Sequence, residues 1–288
     1  MIKYKGKAKI IIEEDNKSVV KSKKKDLNEL YEYLSLKGFE CFPKIIEEDE
    51  DNVRYEYIDN VYTTEDEKGK ELMKTVADLH FRTTYFKDVS RKKYKEIHYK
   101  VINNIDYLKN YYEKLILKID KKEYMSPYEY LIARNYSIII SALMYAEREI
   151  NSWYKLVQNK DTERVSVVHN NLKTSHFIRG DKGYLLNWDY SVVDTPILDL
   201  YKFYKREYNK YNFKSLLKEY NNNFNLNEEE KKLFFVLISI PDKIDIKDNM
   251  INSVRNAKKI LDYIYKTDDL ITAGIFKVEN SQAWYKHK

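Results

Sequence analysis

Residues 167–200 read V-V-H-N-N-L-K-T-S-H-F-I-R-G-D-K-G-Y-L-L-N-W-D-Y-S-V-V-D-T-P-I-L-D-L. Short β-branched and aromatic runs alternate here with polar clusters, which predicts three brief strands over 164–168, 176–179 and 184–188. Asp181-Lys182-Gly183 supplies a turn between the last two. Groups able to do acid–base or ligand chemistry punctuate these strands: His169, Asn171, His176, Asn187, Asp189, Asp194 and Asp199.

Upstream, 8–13 and 18–21 are strand-like runs joined by the turn composition Glu14-Asp15-Asn16-Lys17. Residues 26–37 form a helix with Leu27, Leu30, Tyr31 and Leu34 at helical spacing, stopped by Gly38. A second strand pair lies at 44–46 and 53–58. The simple assembly is a small antiparallel sheet carrying one helix. Helices dominate after Asn60. Thr64 with Glu67 is a capping box, in which hydroxyl and carboxylate satisfy free N–H groups at a helix start. Ser126-Pro127-Tyr128-Glu129 and Asn227-Glu228-Glu229-Glu230 repeat the device. A Tyr- and Lys-rich helix is expected over 91–119 and an amphipathic one over 250–265. The fold class is therefore α+β, with a sheet-bearing segment over 1–58 and a mostly helical one over 59–288.

The 288 residues carry a formal charge of only +6, spread among neighbouring acids. That argues against a nucleic-acid binder, which concentrates its basic residues on a stripe. The one basic run, Lys21 to Lys25, reads as a solvated face. Cys41 stands alone, so neither a disulfide nor a cysteine metal site is expected. No apolar run approaches the ~20 residues that span a bilayer. No signal peptide is visible, making cytoplasmic synthesis the default. Tyrosine is abundant, 28 against 11 Phe; codon bias in an AT-rich genome explains it, with exposed tyrosines in adhesion or cross-linking as the sharper alternative.

The 167–200 stretch resembles the aminoglycoside-phosphotransferase branch of the protein-kinase-like superfamily. That branch carries H-x-D-x-x-x-x-N in its catalytic loop, an apolar strand ending I-D-F-D, and then D-x-P-x-x-D-L. His169 opens the loop here, and Asp194, Pro196, Asp199 and Leu200 close the pattern. Val19-Val20-Lys21 resembles the lysine-bearing strand that reaches nucleotide phosphates. Tyr55-Glu56-Tyr57-Ile58 resembles the hinge, and Ala77-Asp78-Leu79-His80 the A-x-L-H helix end. The resemblance implies a two-lobe fold with a small antiparallel-sheet N-lobe and a larger, mostly helical C-lobe. It also implies that His169 and Asp199 brace the loop.

The polar positions depart from the family together. Asn171 stands at the catalytic aspartate and His176 at the metal-binding asparagine. Counting back from Pro196 and Asp199 puts Asn187 at the metal-binding aspartate. Phosphoryl transfer needs a carboxylate near the acceptor hydroxyl and oxygen ligands for Mg²⁺; an amide takes up no proton, and imidazole suits Mg²⁺ poorly. The glycine-rich loop reduces to Lys5-Gly6-Lys7 with hardly any strand before it. Lys21 is left as a doubtful anion site or a surface residue, its acidic partner bracketed between Asp26 and Glu29. His80, His98 and His287 read as structural. A zinc site built on His169 and His176 lacks further ligands.

Within the superfamily the sequence is similar to the bacterial spore coat kinase-like proteins of the CotS family. Gly38-Phe39, the Tyr/Lys-rich helix and H-N-N-L-K-T-S-H-F followed by N-W-D carry this likeness. It implies a non-catalytic kinase-like protein, without cofactor, made in the mother cell and built into the spore coat among other coat proteins. The alternative is a small-molecule phosphotransferase with a rearranged site. It would hold metal through Asp189, two residues beyond Asn187 and on the same face of a strand, with Asp194 or Asp199 for charge.

Overall fold

The computed structural model describes residues 2–5, 8–13, 16–246 and 249–274. The chain divides into two compact units. The first comprises Met1–Tyr85, Val165–Phe203 and Ser215–Asn225; the second comprises Phe86–Arg164, Tyr204–Lys214 and Leu226–Lys288.

The first unit opens with β1 (Ile2–Lys5), β2 (Ala8–Glu13) and β3 (Asn16–Ser22), then α1 (Asn28–Leu36), β4 (Ile45–Glu48) and β5 (Asn52–Glu56). All pairings in this sheet are antiparallel, in the order β1-β2-β3-β5-β4. β1 corrects the expectation that hardly any strand precedes Gly6: Ile2 pairs with Ile11 at the sheet edge, a partnership that local composition does not announce. Gly6, like Glu14 and Asp15 of the expected turn, lies outside the described residues. Gly38 ends α1 at φ 73°, a left-handed conformation that costs glycine little. The Phe39 N–H then returns to the Leu34 carbonyl at 2.9 Å, closing the helix end.

Phe39 and Phe42, delivered by that turn, build the core of this unit. Tyr31 stacks on Phe42 at 4.2 Å, and Tyr31, Phe39 and Phe42 all pack edge-on against Trp188. Trp188 is fully buried. Burying such rings removes 150–250 Å² each from water. This cluster joins α1 to the very stretch in which the polar positions fall.

Next comes α2 (Glu65–Thr83), opened by the predicted Thr64/Glu67 capping box. The chain continues through β6 (Tyr85–Asp88), unpredicted and exposed, α3 (Arg91–Ile119), α4 (Pro127–Val157) and β7 (Thr162–Val168). It then forms β8 (Phe177–Arg179), β9 (Gly183–Leu185) and β10 (Val192–Asp194), and ends in α5 (Ile197–Glu207), α6 (Phe213–Asn223), α7 (Glu228–Ser239) and α8 (Met250–Thr272). In the first unit β10 pairs antiparallel with the end of β7, Val192 opposite Val168 and Asp194 opposite Ser166. β8 and β9 form a hairpin.

In the second unit α4 packs against α3, α7 and α8. Its buried stripe, Ile132, Ile139, Leu143, Ala146, Ile150 and Trp153, recurs at three-, four- and seven-residue steps, which keeps one face inward. Lys232 of α7 reaches Glu149 of α4 at 2.7 Å, with both side chains largely covered. Among the described residues no helix is long and apolar enough to cross a membrane.

Candidate functional site

The loop after β7 is held by a network that converges on Asp199, in the first turn of α5. One Asp199 oxygen accepts the His169 N–H at 2.7 Å and the other the Asn170 N–H at 2.6 Å. His80 Nε2 lies 3.2 Å from the same carboxylate, and its Nδ1 meets the Tyr220 hydroxyl at 2.7 Å. His80 and Asp199 are both wholly buried. His80 at the end of α2 and Asp199 of α5 thus meet at the loop after β7. Asn170 adopts a left-handed φ of 62°, which asparagine tolerates better than most side chains. Its amide donates to the Tyr190 carbonyl at 2.9 Å and accepts from Lys202.

His169 donates from Nε2 to the Leu186 carbonyl at 2.8 Å, so that nitrogen carries the proton. Its Nδ1 is buried without a partner, and the ring packs edge-on against Trp188 at 4.9 Å. Burial holds the His169 pKa below its usual 6.5, partly offset by the Asp199 charge. The sign follows: below pH 6.5 the unfolded chain takes up a proton that the folded chain refuses. Stability is therefore expected to fall as pH drops from about 6.5 toward the folded-state pKa, with a slope of up to about 1.4 kcal/mol per pH unit. Melting wild type and His169→Gln between pH 8 and 5 checks this, because the variant should lose that part of the slope. Parallel profiles would refute it.

Asn187 has φ 65° and ψ 61° and caps a 3-10 turn over Trp188–Tyr190. The expected strand over 184–188 therefore stops at Leu185, and the strand-face argument that returned Asp189 beside Asn187 does not hold. A left-handed residue breaks the two-residue alternation. Across the unit, Lys21 Nζ donates to Asn187 Oδ1 at 2.8 Å. Neither bracketed acid pairs with it: Asp26 accepts the Asn28 N–H at the entry of α1, and Glu29 is exposed on α1. Burial pulls the Lys21 pKa down, partly offset by the charge of Asp189.

The rest of the basic run is also engaged here, correcting its reading as a purely solvated face. Lys24 Nζ is 4.0 Å from Asp189 and 6.0 Å above the Tyr190 ring, and Lys25 Nζ donates to the Ser191 carbonyl at 3.3 Å. Three lysines thus meet residues 187–191, between β9 and β10. His176 ends a 3-10 turn, and its Nδ1–H donates to the Asn171 carbonyl at 2.9 Å, which orients the imidazole within the loop. Asp194 accepts the Thr195 N–H at 2.7 Å, a local turn contact. His98 meets Asn151 at 2.8 Å in the second unit, and His287 lies outside the described residues.

The fold class raises the question of Mg²⁺. The positions that would ligate it are two amides, Asn171 and Asn187, an imidazole, His176, and one carboxylate, Asp189. Ammonium groups stand 2.8 Å from Asn187 and 4.0 Å from Asp189. A hard divalent ion takes oxygen ligands, only one of which is charged here, and is repelled by adjacent cations. These residues do not fit it. Among the described residues, moreover, no group of three or more His, Cys, Asp or Glu side chains is placed to hold a metal.

No family model matches the sequence, and no curated protein matches it either. Solved structures do. The chain is similar to an aminoglycoside phosphotransferase from Alicyclobacillus acidocaldarius, with a TM-score of 0.65 at 9% identity over 95% of this chain and 92% of that one. The AMP-bound spectinomycin phosphotransferase APH(9)-Ia gives 0.51 at 13% identity, over 95% and 91%. The fold is kinase-like. At these identities the likeness concerns the backbone, with an antiparallel-sheet N-terminal region and a helical C-terminal one, and leaves the side chains of the site to be read for themselves.

Lys24, Lys25, Lys202 and Tyr220 escaped sequence reasoning as parts of this region. The basic run was visible as charge, but nothing local marked its destination.

Proposed function

We propose that this chain is a non-catalytic kinase-like protein, a pseudokinase, that serves as an interaction platform in spore coat assembly or structure. The observation that carries the first half is the Lys21–Asn187 contact: the lysine expected to grip phosphate holds a neutral amide at the position where a metal-binding carboxylate would be needed. Asn171 and His176 add the missing base and an unsuitable ligand. A single lost general base costs on the order of 10²–10⁴ in rate, and an unheld metal compounds it. The coat setting rests on the sequence resemblance of H-N-N-L-K-T-S-H-F and N-W-D to the CotS group, with other coat proteins as partners. The alternative phosphotransferase built on Asp189 is disfavoured by the Lys24 ammonium beside that carboxylate.

The test is a thermal-melt series with ATP in Mg²⁺ and in EDTA, beside an ATP-turnover assay. A ligand at 100 times its Kd stabilises by about 2.7 kcal/mol, a shift of several degrees. Turnover is expected at background, and Mg²⁺ is expected to add nothing to any shift. A shift that requires Mg²⁺ would mean that Asp189 holds the metal, and the non-catalytic reading would fail. Absence of the protein from the coat fraction of purified spores would remove the coat assignment.

A further inference from the structure

The misfit with Mg²⁺ has a second side. Lys21, Lys24 and Lys25 converge on residues 187–191, where they contact the Asn187 amide, the Asp189 carboxylate, the Tyr190 ring and the Ser191 carbonyl. Of these partners only Asp189 is anionic. Three ammonium groups against one carboxylate leave a local excess of two positive charges. Lys21, moreover, is half-buried, and the one hydrogen bond it donates goes to a neutral oxygen, with the Tyr55 ring 5.8 Å away. Such a cluster is completed by an anion with several oxygens, because a hydrogen bond from an ammonium to a charged oxygen is stronger than one to a carbonyl.

Resting on the non-catalytic reading above, we infer that these lysines stand in for the divalent ion and that the site takes a phosphate-bearing anion directly, without metal. Lys21 trades a neutral amide oxygen for a phosphate oxygen, and Lys24, 4.0 Å from the Asp189 carboxylate, gains one within hydrogen-bond reach. Lys25, tethered to the Ser191 carbonyl, keeps the loop after β3 over the segment. No bond is made or broken; this is a binding site only. Excess Mg²⁺ opposes binding, since it occupies phosphate oxygens that the lysines would otherwise use and brings positive charge to a region already rich in it.

The full chain is melted in EDTA with tripolyphosphate, ATP or adenosine, and again with excess Mg²⁺. Tripolyphosphate and ATP are expected to raise the midpoint in EDTA, adenosine to leave it unchanged, and Mg²⁺ to shrink the shift. A larger shift for ATP than for tripolyphosphate identifies a nucleotide as the source of the phosphate; equal shifts identify the phosphate chain alone. Lys24 and Lys25 are exposed, so the double variant Lys24→Gln/Lys25→Gln should fold as wild type and bind tripolyphosphate at least about 10-fold more weakly. Lys21→Met is a second arm, checked for folding by its melt without ligand. No shift in EDTA, an equal shift with adenosine, or undiminished binding by the double variant overturns the inference. Those results leave the non-catalytic reading standing, whereas a shift that requires Mg²⁺ overturns both.

Discussion

Asp199→Ala is expected to destabilise the protein by about 3–5 kcal/mol, the range for removing one partner from a buried charged network. The carboxylate is wholly buried and serves the His169 N–H, the Asn170 N–H and the His80 ring at once. Truncation leaves two backbone donors and an imidazole without their acceptor, and each unsatisfied buried group costs about 1–3 kcal/mol. At roughly 2 °C per kcal/mol for a chain of this size, the melting midpoint should fall by roughly 6–10 °C. Asp199→Asn keeps one acceptor oxygen but turns an amide NH₂ toward a donor, so its loss should be intermediate. A midpoint in Asp199→Ala within a degree of wild type would refute the bracing role. The prediction separates that structural duty from chemistry, because the effect is on folding and needs no ligand.

Asn171→Asp alone is expected to leave ATP turnover at background, although it restores the acid at the loop. A general base is worth on the order of 10²–10⁴, but only where the metal and phosphates are already positioned. Asn187 holds no charge for that purpose, and Lys21 sits 2.8 Å from it. The combined Asn171→Asp/His176→Asn/Asn187→Asp variant is expected to exceed the single one by at least about 10²-fold in Mg²⁺-dependent turnover. A carboxylate at 187 also gives Lys21 an ionic partner. Turnover in wild type or in Asn171→Asp, abolished by Asp189→Ala, would bring the rearranged-site alternative to the front.

Much of the architecture was legible because its signals are local. α3 spans the predicted 91–119, and the caps at Thr64, Ser126 and Asn227 each open a helix where the sequence placed it. Cap geometry and apolar spacing act over three to seven residues, so a linear reading captures them. β1 and β6 were missed because four-residue edge strands are defined by a pairing partner more than by composition. The tyrosines show the same limit. Tyr112, Tyr204 and Tyr220 are core residues whose hydroxyls bond Ile244, Thr267 and His80, whereas Tyr62 and Tyr124 face solvent. Composition gives these two populations one number.

The sequence by itself determined the fold class and the identity of the side chains at the polar positions. Tertiary structure alone decided what those side chains meet. Lys21 and Asn187 are 166 residues apart, and their contact depends on β3 and the segment after β9 being brought together around Trp188. The left-handed turn at Asn187 takes Asp189 into a 3-10 turn instead of a strand, and the neighbouring lysines turn from a charge run into contacts of that segment. Local periodicity fixes helices and strands because it is a property of adjacent residues; the choice of partner across a fold is a property of packing, and no stretch of chain contains it.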